Sequence, residues 1–318
     1  MISFPEMLPD ELFYSCCTRY HIESGNETNS QTMKELFGNP SFKMKCMLPS
    51  HLNNFIKRYN CKWGRICSND ILMNHTIYPI FRSFLDYKES DVILQMINGT
   101  LKYRPHFILG IKNNLWGQVL NFCSDCVKED DLNYGFPYWH RLHQVPGILY
   151  CPKHCKRLKR SCPGCNFRFE TQNNFLVIKR FCRCGHDFSC DIANQVVSLD
   201  EYRAQLELIN ISQDIAYVFS ANVFTGHQWQ QLYRDRISKT KYFSLTGRLN
   251  QRALANDFIS FYTRSTLKLL ECELSNINWL QHFFNRKKHI YHPIKHILFI
   301  RFLYGSISNF YNEVSEAA

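Results

Sequence analysis

The 318-residue chain has no apolar run of about 18 residues, which excludes a helical membrane span. Its start, Met1-Ile2-Ser3-Phe4-Pro5-Glu6, lacks a basic segment leading into an apolar one, so no secretory signal is expected. There is no glycine-rich phosphate loop, no nucleophile elbow and no His-Glu-x-x-His pair. Nothing therefore supports nucleotide hydrolysis or hydrolytic catalysis, and the chain is not expected to be an enzyme. Internal repeats and low-complexity stretches are also missing, which argues against a solenoid. Acidic residues are scarce beside basic ones, 27 against 38. The resulting net charge of +11 suits a phosphate-bearing partner, or simply keeps the chain soluble.

What is present is a globular chain, 45% hydrophobic and 15% aromatic, long enough for two or three domains with buried cores. It carries 15 cysteines, an odd number that fits poorly with a complete disulfide framework. Without an export signal a reducing, cytoplasmic setting is expected, and clustered cysteines there usually hold metal. Cys16, Cys17, Cys46, Cys61, Cys67 and Cys272 are isolated and read as small buried hydrophobes.

The pattern predicts a mainly α chain with a small zinc-ribbon α+β module. Pro9-Asp10-Glu11 reads as a helix start, with the helix running to about residue 22 and Ser24-Gly25-Asn26 ending it. Further helices are expected over 30–37, 49–59, 69–76 and 89–97. Residues 1–120 thus read as a helical N-terminal domain. From Cys123 to Cys190 helical periodicity gives way to aromatics, Gly, Pro and Cys, and residues 121–195 read as a double zinc-finger module with short strands. Helical patterns return in a C-terminal domain, 196–318, over 199–219, 228–233, 251–261, 265–274 and 294–310.

Within the central module, Cys123-x-x-Cys126 is followed by Cys151-Pro152-Lys153-His154, and Cys162-Pro163-Gly164-Cys165 by Cys182-Arg183-Cys184. A Cys-x-x-Cys knuckle turns the chain so that both sulfurs reach one ion, and two half-sites close a tetrahedron. Zinc suits such a donor set, giving two ions held by Cys123, Cys126, Cys151 and His154 and by Cys162, Cys165, Cys182 and Cys184. His186 or Cys190 could replace a ligand of the second set. Sequential pairing closes shorter loops than a cross-brace and is favoured on that ground; a cross-brace would suggest a RING-like protein-binding module. Four donors per ion leave no open position, so the sites read as structural. His21-Ile22-Glu23 matches half of a zinc-deaminase signature, but the other half is missing because Ser161, not proline, precedes Cys162.

Arg141, His143 and Gln144 follow the aromatic segment Tyr134 to Trp139, which is expected to pack over zinc, with the polar three as candidate DNA contacts. Lys153, Lys156, Arg157, Lys159 and Arg160 crowd one knuckle, and Lys179, Arg180 and Arg183 another, as phosphate-contact candidates. In the C-terminal part, Arg248, Asn250, Gln251 and Arg252 open a helix whose successor begins near Arg264, a candidate helix-turn-helix. Arg286, Lys287, Lys288 and Lys295 form a further basic stretch at a helix start.

The run Leu8-Pro9-Asp10-Glu11-Leu12-Phe13-Tyr14-Ser15 with Arg19-Tyr20-His21 resembles the N-terminal part of the TniQ/TnsD family. So do Leu36-Phe37-Gly38-Asn39, Leu48-Pro49-Ser50-His51-Leu52 and His75-Thr76-Ile77-Tyr78-Pro79. Phe122 to Cys126, Tyr138-Trp139-His140-Arg141, His143-Gln144 and Tyr150-Cys151-Pro152-Lys153-His154 resemble it most specifically. Trp279 to Lys287 and His292-Pro293 to His296 look like the later part of the TnsD branch. The resemblance implies a non-catalytic target selector of a Tn7-like transposon in a bacterial, nucleoid-associated setting. Such a selector binds a double-stranded chromosomal attachment site and recruits an AAA+ ATPase that licenses the transposase. The alternative it implies is an adaptor between an RNA-guided Cascade-type effector and the same ATPase. By the same resemblance the N-terminal segment contacts the ATPase, and the zinc module and C-terminal helices contact DNA. Members of the branch are often longer, so Glu316-Ala317-Ala318 is either a natural end or a truncation. The second cysteine set is not shared by every member.

Overall fold

The computed structural model describes residues 2–101, 109, 119–171, 175–190, 198–221, 229–243, 248–274, 279–284 and 292–316. The chain is mainly helical; β structure among the described residues is limited to isolated antiparallel bridges. Two compact units emerge, residues 1–79 with 90–196, and residues 80–89 with 197–318.

In the first unit, α1 (Phe13–Glu23) starts after its Pro9-Asp10-Glu11 signal rather than on it. Asp10 adopts a left-handed backbone, φ 56°, and the Glu11 backbone pairs with His140, so neither joins the helix. The Glu11 carboxylate is fully buried and receives Arg19 at 2.7 Å, one charge neutralising the other. Helix α2 (Asn29–Phe37) opens on a reciprocal cap. Thr28 Oγ1 accepts from Gln31 N at 3.3 Å and Gln31 Oε1 accepts from Thr28 N at 2.9 Å. It stops at Gly38, whose φ of 77° favours glycine; a Cβ there would also stand 2.7 Å from the Arg58 guanidinium and push that side chain aside. Helices α3 (Leu52–Lys62) and α4 (Ser68–His75) follow, while α5 (Tyr78–Arg82) and α6 (Tyr87–Asn98) each span a bound of the segment 80–89 that belongs to the second unit. Phe13 meets Phe55 edge-on at 4.9 Å, and Phe4 and Phe37 complete an aromatic core with them.

The central module was expected to lack helical periodicity, yet α7 (Ser124–Tyr134) is a full helix, stopped by Gly135 at φ 79°. A second core joins Leu12, Tyr14 and Cys46 to Leu120, Phe122, Trp139, Phe169 and Phe188, so the first helix and the cysteine-rich segment share one interior. Among the isolated cysteines, Cys16, Cys17, Cys46 and Cys272 are buried as expected, but Cys61 and Cys67 are exposed. Cys67 sits at the start of α4, its backbone N–H donating to Asp70 at 3.1 Å.

The second unit contains α8 (Leu199–Ala221), α9 (Trp229–Ser238), α10 (Gln251–Tyr262), α11 (Arg264–Leu269), a 3-10 segment (Trp279–Phe284), α12 (Pro293–Tyr304) and α13 (Ile307–Glu316). The single helix expected over 294–310 is two, broken at Gly305, φ 84°. Arg301 of α12 is buried between Glu207, at 3.0 Å, and Asp214 of α8. Asp214 also accepts from Ile307 N at 3.1 Å, which ties the start of α13 to α8. Tyr233 hydrogen-bonds His296 Nδ1 at 2.8 Å in a core with Phe283 and Phe299. A helix-turn-helix is not established: Thr263 alone separates α10 from α11, where that motif uses a turn of about three to four residues.

Candidate metal centres

Cys123 caps α7 and Cys126 lies in its first turn, where the helix dipole favours negative charge on sulfur. Across from them, Cys151 and His154 lie on a tight turn. Cys155 N donates to Cys151 O at 2.8 Å, and the bridge from Tyr150 to Arg157 holds the turn's ends together. The turn brings His154 Nδ1 to 3.5, 3.3 and 3.6 Å from the sulfurs of Cys123, Cys126 and Cys151. The Cys126 and Cys151 sulfurs are 3.8 Å apart. A zinc ion bound by sulfur at about 2.3 Å and nitrogen at about 2.0 Å sets tetrahedral donors roughly 3.5 Å apart for sulfur and nitrogen and about 3.8 Å apart for two sulfurs, so this donor set fits the ion. All three cysteines are buried, and Glu129, one turn beyond Cys126, places Oε1 3.1 Å from His154 Nε2. That carboxylate was not anticipated; its spacing of three from Cys126 on one helix was the available signal.

The second cluster is built from two chain reversals, Asn166 N to Cys162 O at 2.8 Å and Gly185 N to Cys182 O at 2.9 Å. They set Cys162 and Cys184 sulfurs 3.6 Å apart and those of Cys165 and Cys182 3.7 Å apart, again tetrahedral edges. Gly164 packs closely here: a Cβ would stand 3.3 Å from Cys184 Sγ and 3.1 Å from His186 Cβ, so any side chain would push those neighbours by a few tenths of an ångström. His186 and Cys190 are not in the four-donor group. Within each group all donor atoms lie within 4.8 Å, and both groups could hold a metal ion; the donors pair sequentially, not as a cross-brace. The first cluster is enclosed, whereas Cys165 and Cys184 of the second are exposed. Bound zinc would contribute folding energy and charge neutralisation rather than redox or hydrolytic chemistry.

The aromatic segment works as a latch on this module. Trp139 donates its indole N–H to Leu176 O at 2.7 Å, and its carbonyl accepts from Leu12 N at 2.8 Å. Gln144 exchanges hydrogen bonds with the Asn121 backbone at 2.8 and 2.9 Å. His140 lies between Asp130, at 2.9 Å, and Asp10, at 3.5 Å. Burial opposes its charge, but hydrogen bonds to the two carboxylates push its pKa up to about 10, so it is an imidazolium at neutral pH. Asp10 is held below the usual carboxylate range: its own burial acts the other way, and His140 and Arg141 outweigh it. None of this network was anticipated, because its members are far apart in sequence.

The residues singled out for DNA contact differ in their surroundings. Arg141 and His143 are turned inward. Arg141 pairs with Asp10 at 3.0 Å and donates to the carbonyls of Met73 and Thr76. His143 is buried with Nε2 3.7 Å from Cys126 Sγ, and burial followed by His140's charge depresses its pKa to about 4. A second group is near the surface with protein partners: Lys153 on Glu129, Lys156 on Asp125 at 2.9 Å, Lys159 on Ser124 at 2.7 Å, Arg160 on Asn121 at 2.9 Å, and Arg180 on Asp131 at 2.9 Å. Arg157, Arg183, Arg248, Gln251, Arg252 and Arg264 are exposed. Asn250 is also exposed and caps α10, accepting from Ala253 N at 3.1 Å. Lys295 places its ammonium over the Trp279 ring at 5.3 Å. Arg286, Lys287 and Lys288 lie outside the described residues.

A family model described as TniQ matches residues 2–158, and one described as Tn7-like transposition protein D matches residues 211–318. The chain is similar to the transposon Tn7 transposition protein TnsD of Escherichia coli, 28% identical over 156 residues. That stretch is 48% of this chain and 30% of the relative, so the chain spans under a third of that protein's length. No described helix is long and apolar enough to cross a membrane.

Proposed function

The chain belongs to the TniQ/TnsD family, and from that premise we propose that it is a target selector of a Tn7-like transposon. It binds a chromosomal attachment site on double-stranded DNA and recruits the AAA+ ATPase that regulates the transposase. The observation that carries this reading is the presence of both matched segments, TniQ and Tn7-like protein D, in one chain. The role is non-catalytic. Each cluster offers four donors to one ion, which fills a tetrahedron and leaves no position for a reacting water.

In this reading both ions are zinc, and they hold the shape of a surface rather than acting on a substrate. The division of labour follows the resemblance, with residues 1–120 contacting the ATPase and residues 121–195 and 196–318 contacting DNA. The exposed cations Arg157, Arg183, Arg252 and Arg264 supply phosphate contacts, which set register on the duplex and release counterions. Arg141 and His143 support the fold instead.

The test is capture of sheared genomic DNA by the purified chain, sequenced at two salt concentrations. One enriched site that survives the higher salt supports the selector. Uniform, salt-labile recovery contradicts sequence-specific recognition by this chain.

A further inference from the structure

The second metal cluster carries two aromatic rings in solvent. Phe167 is 51% exposed and Phe181 is 55% exposed, while their neighbours Phe169 and Phe188 are buried in the core. A small metal module ordinarily uses such rings to thicken its core. These two are instead rooted at one edge of the cluster. Phe181 directly precedes Cys182, Phe167 follows Cys165 by two residues, and the sulfurs of those cysteines are 3.7 Å apart. Both backbones are fixed: Phe167 O accepts from Cys162 N at 2.8 Å, and Phe181 bridges to Asp187. Among the described residues Phe167 makes an edge contact with Phe169 at 5.5 Å, and Phe181 lies under the Arg180 guanidinium at 5.3 Å.

The surrounding charge is positive. Lys179 and Arg183 flank Phe181 in sequence, are exposed, and have no side-chain partner among the described residues. Half-exposed rings beside unneutralised cations complement a strand that offers both phosphates and bare base faces. A regular duplex hides its base faces in the stack, so only unpaired or unstacked bases meet this requirement. We infer that the tip of the second metal cluster, with Phe167, Phe181, Lys179 and Arg183, binds unpaired bases of DNA by stacking. This rests on the reading that the chain binds DNA, and adds which conformation of DNA one part of it takes.

The test uses the full, zinc-loaded chain and three probes: a duplex, the same duplex with a central unpaired bubble, and its single strand. The variants are Phe167→Ala, Phe181→Ala and Phe181→Trp, each checked for zinc content. The intact chain should bind the bubble at least tenfold more tightly than the duplex. Each alanine should cost about tenfold on bubble and single strand, as expected for one lost stack, and leave duplex binding unchanged. The Phe181→Trp variant should keep its bubble affinity, and its indole fluorescence should be quenched by the bubble probe. Equal affinity for bubble and duplex, no loss in either alanine variant, or an unquenched indole overturns the inference while duplex binding keeps the selector reading intact. Failure to bind any of the three probes overturns both. Capture of an acidic protein segment by the same rings, with no DNA preference, also overturns it.

Discussion

Glu129 Oε1 lies 3.1 Å from Nε2 of His154, whose other ring nitrogen faces three sulfurs. Nε2 makes no hydrogen bond among the described residues, so the carboxylate acts on the ring through its charge, favouring the tautomer with the proton on Nε2 and raising the ring's basicity as a metal ligand. Glu129→Gln should therefore leave the fold intact and lower zinc affinity about tenfold, the low end for such partners because the carboxylate is partly exposed. Competition with a chromophoric chelator reads the change. An unchanged affinity would mean that the carboxylate serves Lys153 alone.

The two clusters should differ in what their loss does. Cys151 is buried in the first cluster, and α7, which supplies Cys123 and Cys126, has few apolar residues to hold it otherwise. Cys151→Ser should release one metal ion and unfold α7 and the Trp139 latch, since structural zinc binding is folding energy. Cys184 is exposed, and Cys184→Ser should disturb only residues near the second cluster. Amide hydrogen exchange distinguishes the outcomes; full protection of α7 in Cys151→Ser would refute the assignment.

Arg301, Glu207 and Asp214 make a buried charge network in the second unit. Asp214→Ala removes one partner and the cap on Ile307, and should cost about 3–5 kcal/mol in that unit. Replacing Asp214 and Arg301 together by Leu and Met should recover much of the loss. Urea unfolding followed by the fluorescence of Trp229 and Trp279 measures both.

Protonation should act through His140 and His296 in opposite directions. His140 in the first unit has its pKa raised above the unfolded value of about 6.5, to about 10. Its contribution is full below pH 6.5 and is lost as pH rises through 10. His296 in the second unit is depressed by burial to about 3, so its contribution is full above pH 6.5 and is lost as pH falls toward 3. His140→Asn should flatten the alkaline loss and His296→Asn the acid loss. Melting of each variant across pH checks the pair; unchanged profiles would contradict both assignments.

How much of this was legible in the sequence depended on distance along the chain. The metal donors were legible because each half-site is local and its spacing is set by the ion. Helix α8 was legible because Leu208, Ile211, Ile215 and Val218 recur on one face. Helix α7 was not, because Ser124–Tyr134 is mostly polar and is held by its metal ligands and its Gly135 stop rather than by an apolar stripe. Arg141 and His143 carried no local sign of facing inward, since Arg141's partner Asp10 is 131 residues away. The break at Gly305 was hidden by apolar residues that continue on both sides of it.

Metal analysis with X-ray absorption on the purified chain tests the central structural claim most directly. Two zinc ions per chain and an averaged shell of seven sulfurs to one nitrogen, with no oxygen, are expected. One ion per chain, or a shell containing water oxygen, would contradict two closed structural sites.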